Sequence, residues 1–298
     1  MQEPQTGPPP VVVSVLIVSH DSVDSLRRCL AALEASTDRA SMEILVVDNG
    51  SRDGSQAIDS EFPNVNMLRL PHYCGWTKAR NIGLRTARGE YVLFLSPEVE
   101  VQPATVMTLV RRLEGDPQAL AVCPLVVNPR GERVSRTYAL PDARQVAAAW
   151  RDPFSLPPSS EVELHDDKAI LLRRVTIAGI NYFDQRYGEY WGHVELAWQI
   201  RRAGRKILLL DDVRVIQSGP ADPPRADERG PAFAADAAGG AAAYIAKHFG
   251  FGKALVFRLK VILGTLLKTL AFQRPGFHLS LLSRLVSGYK IDGRSQEL

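Results

Sequence analysis

Cysteine is scarce in this chain: Cys29, Cys74 and Cys123 are the only three in 298 residues, they lie far apart, and none forms a C-x-x-C pair. An odd, scattered set excludes a disulfide framework and a zinc knuckle, leaving buried thiols. No run of eighteen or more apolar residues is free of charge, and the opening MQEPQTGPPP has neither a positive start nor an apolar stretch. Neither a membrane-spanning helix nor a secretory signal is readable, so the expected location is the cytoplasm. The first strand-like run is not followed by G-x-G-x-x-G, which disfavours a dinucleotide-binding dehydrogenase. A net charge of +3 is too small to point to nucleic acid as a partner, and 45% hydrophobic with 23% charged residues excludes disorder, collagen and coiled coil.

That small net charge hides an asymmetry. From Lys247 onward nine Lys or Arg face two acids, a balance of +7, whereas the preceding 246 residues balance at −4. Tail and body therefore face different surroundings.

Residues 1–10 hold four prolines and predict a disordered leader. Val11 to Ser19 is a β-branched run of the kind buried in the middle of a parallel sheet. Asp24 is a candidate cap for the helix that follows, in which Leu26, Leu30 and Leu33 recur at helical spacing, and Met42 to Val47 is the second strand. A strand at 64–70, a helix at 77–88, a strand at 90–95 and a helix at 103–114 continue the alternation. Such a pattern implies an α/β fold, a mostly parallel central sheet with helices on both faces. The stretch from 116 to about 165 is irregular apart from Ala121 to Val127. Strands at 169–172, 206–210 and 213–216 and a helix at 194–203 then resume the pattern. Pro, Ala and Gly between 219 and 240 suggest a linker. Between 254 and 272, Leu255, Ile262, Leu263, Leu266, Leu267 and Leu270 share one helical face, with Arg258, Lys260 and Lys268 opposite. Two readings stand: a basic amphipathic helix in a membrane interface, or a helix packed on its own domain.

In α/β sheets ligands bind beyond the carboxyl ends of the strands, which directs attention to the residues there. After the first strand come Ser19 and His20. After the second, Asp48-Asn49-Gly50-Ser51-Arg52-Asp53-Gly54-Ser55 offers a carboxylate and an amide to a nucleobase edge, or folds as a plain Asx-turn. After the fourth, Glu98 and Glu100 at i and i+2 beyond Ser96-Pro97 can hold a divalent cation (Mg2+ or Mn2+) through oxygen ligands, or form a solvated acidic pair.

The series VSVLIVSHDS, EILVVDNGSRDGS, Gly75-x4-Arg80-Asn81-x-Gly83, ARGEYVLFLSPEVEVQP and FDQRYGEYWGHVELAWQIRRAG resembles the family 2 glycosyltransferases, which have the GT-A fold, from Val11 to about Ile216. The tail also resembles that of bacterial rhamnosyltransferase-like members. The resemblance implies a GT-A domain at 11–218 and a C-terminal basic amphipathic helical segment at 241–298. It implies inverting transfer from a nucleoside-diphosphate sugar donor to a hydroxyl of a cell-surface polysaccharide or glycolipid acceptor at the cytosolic face of the inner membrane, with peripheral membrane contact through 254–272. By the same resemblance Ser19, His20, Asp48 and Asn49 match the nucleobase pocket, Arg80 and Asn81 the donor-side pair, Glu98 the metal-binding last Asp of the acidic motif with Ser96 and Pro97 before it, His193 the general base and Glu195 the acid two residues on, while Glu100 enters as a metal ligand by its spacing alone. The chain departs from the pattern where relatives carry Glu-Asp (here Gly192-His193), Gly-Gly (Asn181-Tyr182) and a histidine (Gln217). An imidazole at 193 remains able to accept a hydroxyl proton. The alternative is a catalytically impaired relative that binds or assembles. A nucleotidyltransferase would need a glycine-rich loop with a basic residue after the first strand, and 19–25 supplies none.

Overall fold

The structure is a computed structural model that describes residues 11–152, 155–156, 163–165, 167–180, 182–219 and 224–293. The leader expected at 1–10 lies outside the described residues. Strands and helices alternate through β1 (Val13–Ser19), α1 (Val23–Glu34), β2 (Met42–Asp48), β3 (Val65–Arg69), α2 (Trp76–Thr86), β4 (Tyr91–Leu95), β5 (Val99–Glu100), α3 (Thr105–Glu114) and β6 (Ala119–Val127). There follow β7 (Thr137–Tyr138), α4 (Ala143–Ala148), β8 (Leu164–His165), β9 (Ala169–Arg173), α5 (Arg174–Gly179), α6 (Gly192–Arg202) and β10 (Lys206–Gln217). Helices α7 (Ala226–Arg229), α8 (Pro231–Phe249), α9 (Phe251–Leu270) and α10 (Pro275–Ser287) close the chain.

Eight strands form one sheet in the order β3-β2-β1-β4-β9-β6-β10-β5, mostly parallel, with β9 and β5 reversed. Period-two alternation sends Val13, Val15 and Ile17 of β1 into one apolar layer with α1 and α3, and Leu16 and Val18 into the other with α2 and α6. Burial on both faces explains why β1, β2 and β4 read as continuous apolar runs. Gly83 lets α2 lie against β1, since a Cβ there would come within 2.3 Å of Leu16 Cδ1.

Three expectations change. The cap of α1 is Ser22, not Asp24, and the free Val23 amide is met across the loop by Asp53 Oδ2 at 2.8 Å. The two strands expected at 206–210 and 213–216 are one strand, β10, with a bulge between Leu210 and Arg214 that accommodates the Asp211-Asp212 pair. The segment expected as a linker at 219–240 is helical from Ala226 to Arg229 and from Pro231 onward. Alanine is the strongest helix former and Pro231 occupies the first turn, where its missing N–H costs nothing. The small side chains of Ala234, Ala235, Ala237, Ala238 and Ala241 are buried, so α8 packs closely on the body.

Helix α9 keeps the expected amphipathicity, but the face toward the protein carries Ala254, Phe257 and Thr265, while Leu255, Leu259, Leu263, Leu266, Leu267 and Leu270 are exposed.

Candidate active site

Strand ends place the candidate residues on one rim of the sheet, because β1, β2, β4 and β10 run the same way and β9, running against them, begins where β4 ends. At the end of β1, Ser19 is buried with its Oγ 2.8 Å from Ser22 Oγ. His20 is half-buried; its Nδ1 lies 3.0 Å from the carbonyl oxygen of Asn49 and its ring meets Tyr73 edge-on at 4.5 Å. A carbonyl only accepts, so Nδ1 is the protonated nitrogen.

At the end of β2, Asp48 is buried and its Oδ1 accepts from Ser51 N at 3.3 Å, the Asx-turn that the octapeptide admits. Asn49 Oδ1 accepts from Cys74 N at 2.9 Å, tying this loop to the start of α2. The other end of that amide is different: Asn49 Nδ2 is buried without a hydrogen-bond partner. A buried donor left unmade costs roughly 1–3 kcal/mol, and a ligand carbonyl would recover it.

Beyond β4, Ser96 N donates to the Lys168 carbonyl at 2.8 Å and Ser96 Oγ accepts from Glu98 N at 3.4 Å. Glu98 Oε2 accepts from Gln217 Nε2 at 3.3 Å, and Gln217 Oε1 accepts from Lys168 Nζ at 2.7 Å. Glu100 is held elsewhere, by Ser218 Oγ at 2.6 Å and Arg28 Nε at 3.3 Å. The metal pair expected at Glu98 and Glu100 is therefore not a pair: the second carboxylate serves an ion pair with α1, and an ammonium stands two hydrogen bonds from the first. Among the described residues no group of three or more His, Cys, Asp or Glu could hold a metal ion. The donor set does not fit a divalent cation.

Arg80 and Asn81 project from α2. Arg80 pairs with Asp167 and lies over the rings of Phe94 and Phe183 at 5.3 and 5.9 Å. Asn81 is buried and bonds the Phe183 backbone at both ends, Nδ2 to O at 2.7 Å and Phe183 N to Oδ1 at 3.0 Å. Its amide is fully used in positioning the 183 loop, unlike that of Asn49.

His193 is half-buried in the first turn of α6. That turn abuts the start of α2, where Thr77 N donates to Gly188 O at 3.2 Å and a Cβ on Gly192 would lie 3.0 Å from Thr77 Oγ1. Glu195, two residues on from His193, is not free for chemistry. It accepts from Tyr187 Oη at 2.8 Å, Gln199 Nε2 at 2.5 Å and Lys247 Nζ at 2.7 Å, with His248 Nε2 at 2.6 Å. Burial alone would raise this carboxyl, but the bonds from His248, Lys247, Gln199 and Tyr187 outweigh it and depress the pKa to about 2. A cavity of about 650 Å3 beside it is lined by Asn81, Arg85, Tyr182, Asp184, Glu195 and Lys247 among others, and neither Asp48 nor Glu98 reaches it.

Sequence reasoning passes over a second buried cluster behind the rim. Glu189 accepts from Tyr73 Oη at 2.7 Å and Trp76 N at 3.0 Å and pairs with Arg229. Asp236 accepts from Glu189 N at 2.8 Å and Ile291 N at 3.0 Å, and complete burial raises its pKa to about 7. The only sequence signal was Asp236, a lone acid in an alanine-rich run.

Residues 14–157 match the family described as Glycosyl transferase family 2. The chain is 28% identical over 226 residues to N-acetylglucosaminyl-diphospho-decaprenol L-rhamnosyltransferase of Mycobacterium tuberculosis, covering 65% of this chain and 71% of that one. It is 28% identical over 210 residues to pre-mycofactocin glycosyltransferase of the same organism, covering 68% of this chain but only 42% of the relative. Two solved structures share the fold. S. aureus TarS 1–349 in complex with UDP superposes with a TM-score of 0.55 at 15% identity, over 89% of this chain and 73% of that one. GalNAc-T7 with UDP, GalNAc and Mn2+ gives 0.54 at 19%, over 71% of this chain and 44% of that one, so this chain spans less than half of that structure. At such identities the likeness is one of fold, the GT-A glycosyltransferase fold.

Proposed function

We propose a reaction for this chain, which belongs to glycosyl transferase family 2 through its residues 14–157. It moves a sugar, with inversion, from a nucleoside-diphosphate sugar to a hydroxyl of a cell-surface polysaccharide or glycolipid acceptor. The observation that carries the donor class is the orphaned Asn49 Nδ2, a buried donor beside Asp48 on the rim where a base carbonyl would complete it. The relative's L-rhamnosyl donor makes a deoxyhexose the first sugar to try.

In the reaction the acceptor oxygen forms a bond to the anomeric carbon as the bond from that carbon to the diphosphate oxygen breaks. His193 takes the acceptor's proton, and the nucleoside diphosphate leaves. In this reading Arg80, held over Phe94 and Phe183, serves the phosphate side of the donor.

The acceptor reading rests on α9. An apolar ridge of exposed leucines flanked by Lys253, Lys260 and Lys268 suits a bilayer interface better than water. Beside it, a groove of about 920 Å3 between α4 and α9 combines Trp150, Phe249 and Phe257 with those lysines and Arg144 and Arg151. No described helix is long and apolar enough to cross a membrane; the contact proposed for α9 is peripheral, at the cytosolic face. A second reading, a catalytically impaired binding protein, is favoured by Glu195, whose carboxylate is consumed by four partners.

A thermal-shift panel of uridine, guanosine and thymidine diphosphate sugars, followed by assay of donor turnover with a lipid-linked acceptor, tests both. Ligand binding raises the melting point by mass action. Binding with turnover supports the transferase, binding without turnover the impaired form, and no shift with any donor contradicts both.

A further inference from the structure

We propose that Lys168, and not a divalent cation, offsets the negative charge of the donor diphosphate. The inference rests on the donor reading above and concerns how that same site handles charge.

The position of Lys168 follows from sheet topology. Antiparallel pairing of β4 with β9 sets Leu95 opposite Ala169, so the residue before β9 emerges beside the end of β4. The hydrogen bond from Ser96 N to the Lys168 carbonyl fixes its backbone there. Asp167, at φ +65°, turns the chain in a left-handed conformation that a non-glycine residue adopts only when held, and the Arg80 pair holds it. Lys168, just before β9, thus lies beside Ser96 on the rim, and Arg80 of α2 pairs with the residue preceding it.

The amide between Lys168 and Glu98 carries the argument further. Gln217 is 3% exposed, with its oxygen toward Lys168 and its NH2 toward Glu98. A divalent ion on Glu98 would therefore be faced by the donor end of that amide, the wrong polarity for a ligand, with an ammonium behind it. Backbone closes a further approach, since a Cβ on Gly219 would lie 2.8 Å from the Glu98 carboxyl carbon. Glu100 cannot supply a second ligand while Arg28 and Ser218 hold it. The carboxylate that would anchor a metal instead orients Gln217, and Gln217 orients a fixed positive charge. A half-buried ammonium at the rim is a sound partner for a diphosphate, as charge-assisted bonds are about twice as strong as neutral ones.

Calorimetry with UDP, GDP and thymidine diphosphate, and with the matching nucleosides, tests this on the full chain, each in EDTA and in Mn2+. At least one diphosphate is expected to bind in EDTA, with affinity changed less than about threefold by Mn2+. Lys168→Met should weaken that diphosphate by about ten- to a hundredfold and leave the nucleoside unchanged, whereas Lys168→Arg should retain most of the affinity. Unchanged nucleoside affinity also shows that the variant is folded; if it is not, Lys168→Gln replaces it in the same comparison. The free Mn2+ signal in electron paramagnetic resonance, already lowered by the diphosphate alone, should fall no further when protein is added. A tenfold gain with Mn2+, or Lys168→Met equal to wild type, overturns the proposal while leaving the donor reading intact. No binding by any diphosphate in either condition overturns both.

Discussion

Replacing Glu195 by Gln separates a fastening role from a catalytic one. The carboxylate joins α6 to α8 through Tyr187, Gln199, Lys247 and His248 at 2.5 to 2.8 Å, with a pKa near 2 against an ordinary 4.5. At about 1.4 kcal/mol per pH unit that depression corresponds to about 3 kcal/mol, reduced to roughly 1–2 by whatever solvent screens the group. Breaking a buried pair while its cations remain costs about 3–5 kcal/mol, so the expected loss is about 2–4 kcal/mol, or roughly 4–16 °C in melting temperature. Because the folded-state pKa is depressed, this stability is present above about pH 4.5 and is lost as pH falls toward 2. Urea unfolding of wild type and Glu195→Gln from pH 7 to pH 3 is the assay. The curves should differ most at pH 7 and converge in acid, with nucleotide affinity unchanged at neutral pH. A variant as stable as wild type but devoid of transfer would refute the fastening role and restore Glu195 to the chemistry.

Other outcomes follow from the same geometry. His193→Ala should lower kcat for transfer by about 10²–10⁴ with nucleotide affinity unchanged, as loss of a general base predicts; unchanged kcat removes His193 from the reaction. Asp236 has a raised folded-state pKa near 7, so its contribution to stability is present below about pH 4 and lost as pH rises through 7. Unfolding of Asp236→Asn should therefore show a flatter pH dependence than wild type by about 2–4 kcal/mol between pH 4 and 8, and equal slopes would contradict this. Changing exposed Leu259, Leu263 and Leu270 together to Ser should leave the melting temperature within about 2 °C yet reduce sedimentation with anionic phosphatidylglycerol vesicles at least about tenfold. Equal sedimentation of the triple variant argues that α9 does not meet lipid.

Legibility differed by element for physical reasons. β1, β2 and β4 announce themselves because burial on both faces forces unbroken apolar runs, and their ends then locate Ser19, Asp48 and Ser96. Helix α8 was hidden because Gly, Pro and Ala mark loops by composition, although buried alanines are what close packing against α7, α9, α10 and the 185–187 turn requires. The acidic pair misled through spacing: Glu98 and Glu100 are two residues apart, but only structure shows that Arg28 claims one and Gln217 the other. Lys168 could not be seen at all, because its neighbours Ser96 and Gln217 are brought to it by an antiparallel strand within an otherwise parallel sheet. Glu195 matched a family position by letter, while its four partners lie on three different elements.

Hydrogen exchange with and without a nucleoside diphosphate that shifts the melting point is the most direct measurement of where the donor binds. Protection should appear at Asn49–Ser55, at 96–98 and at 217–219, the ends of β2, β4 and β10, and be absent from α9. Protection confined to the cavity beside Glu195, or to the groove along α9, would contradict a donor site on the sheet's rim.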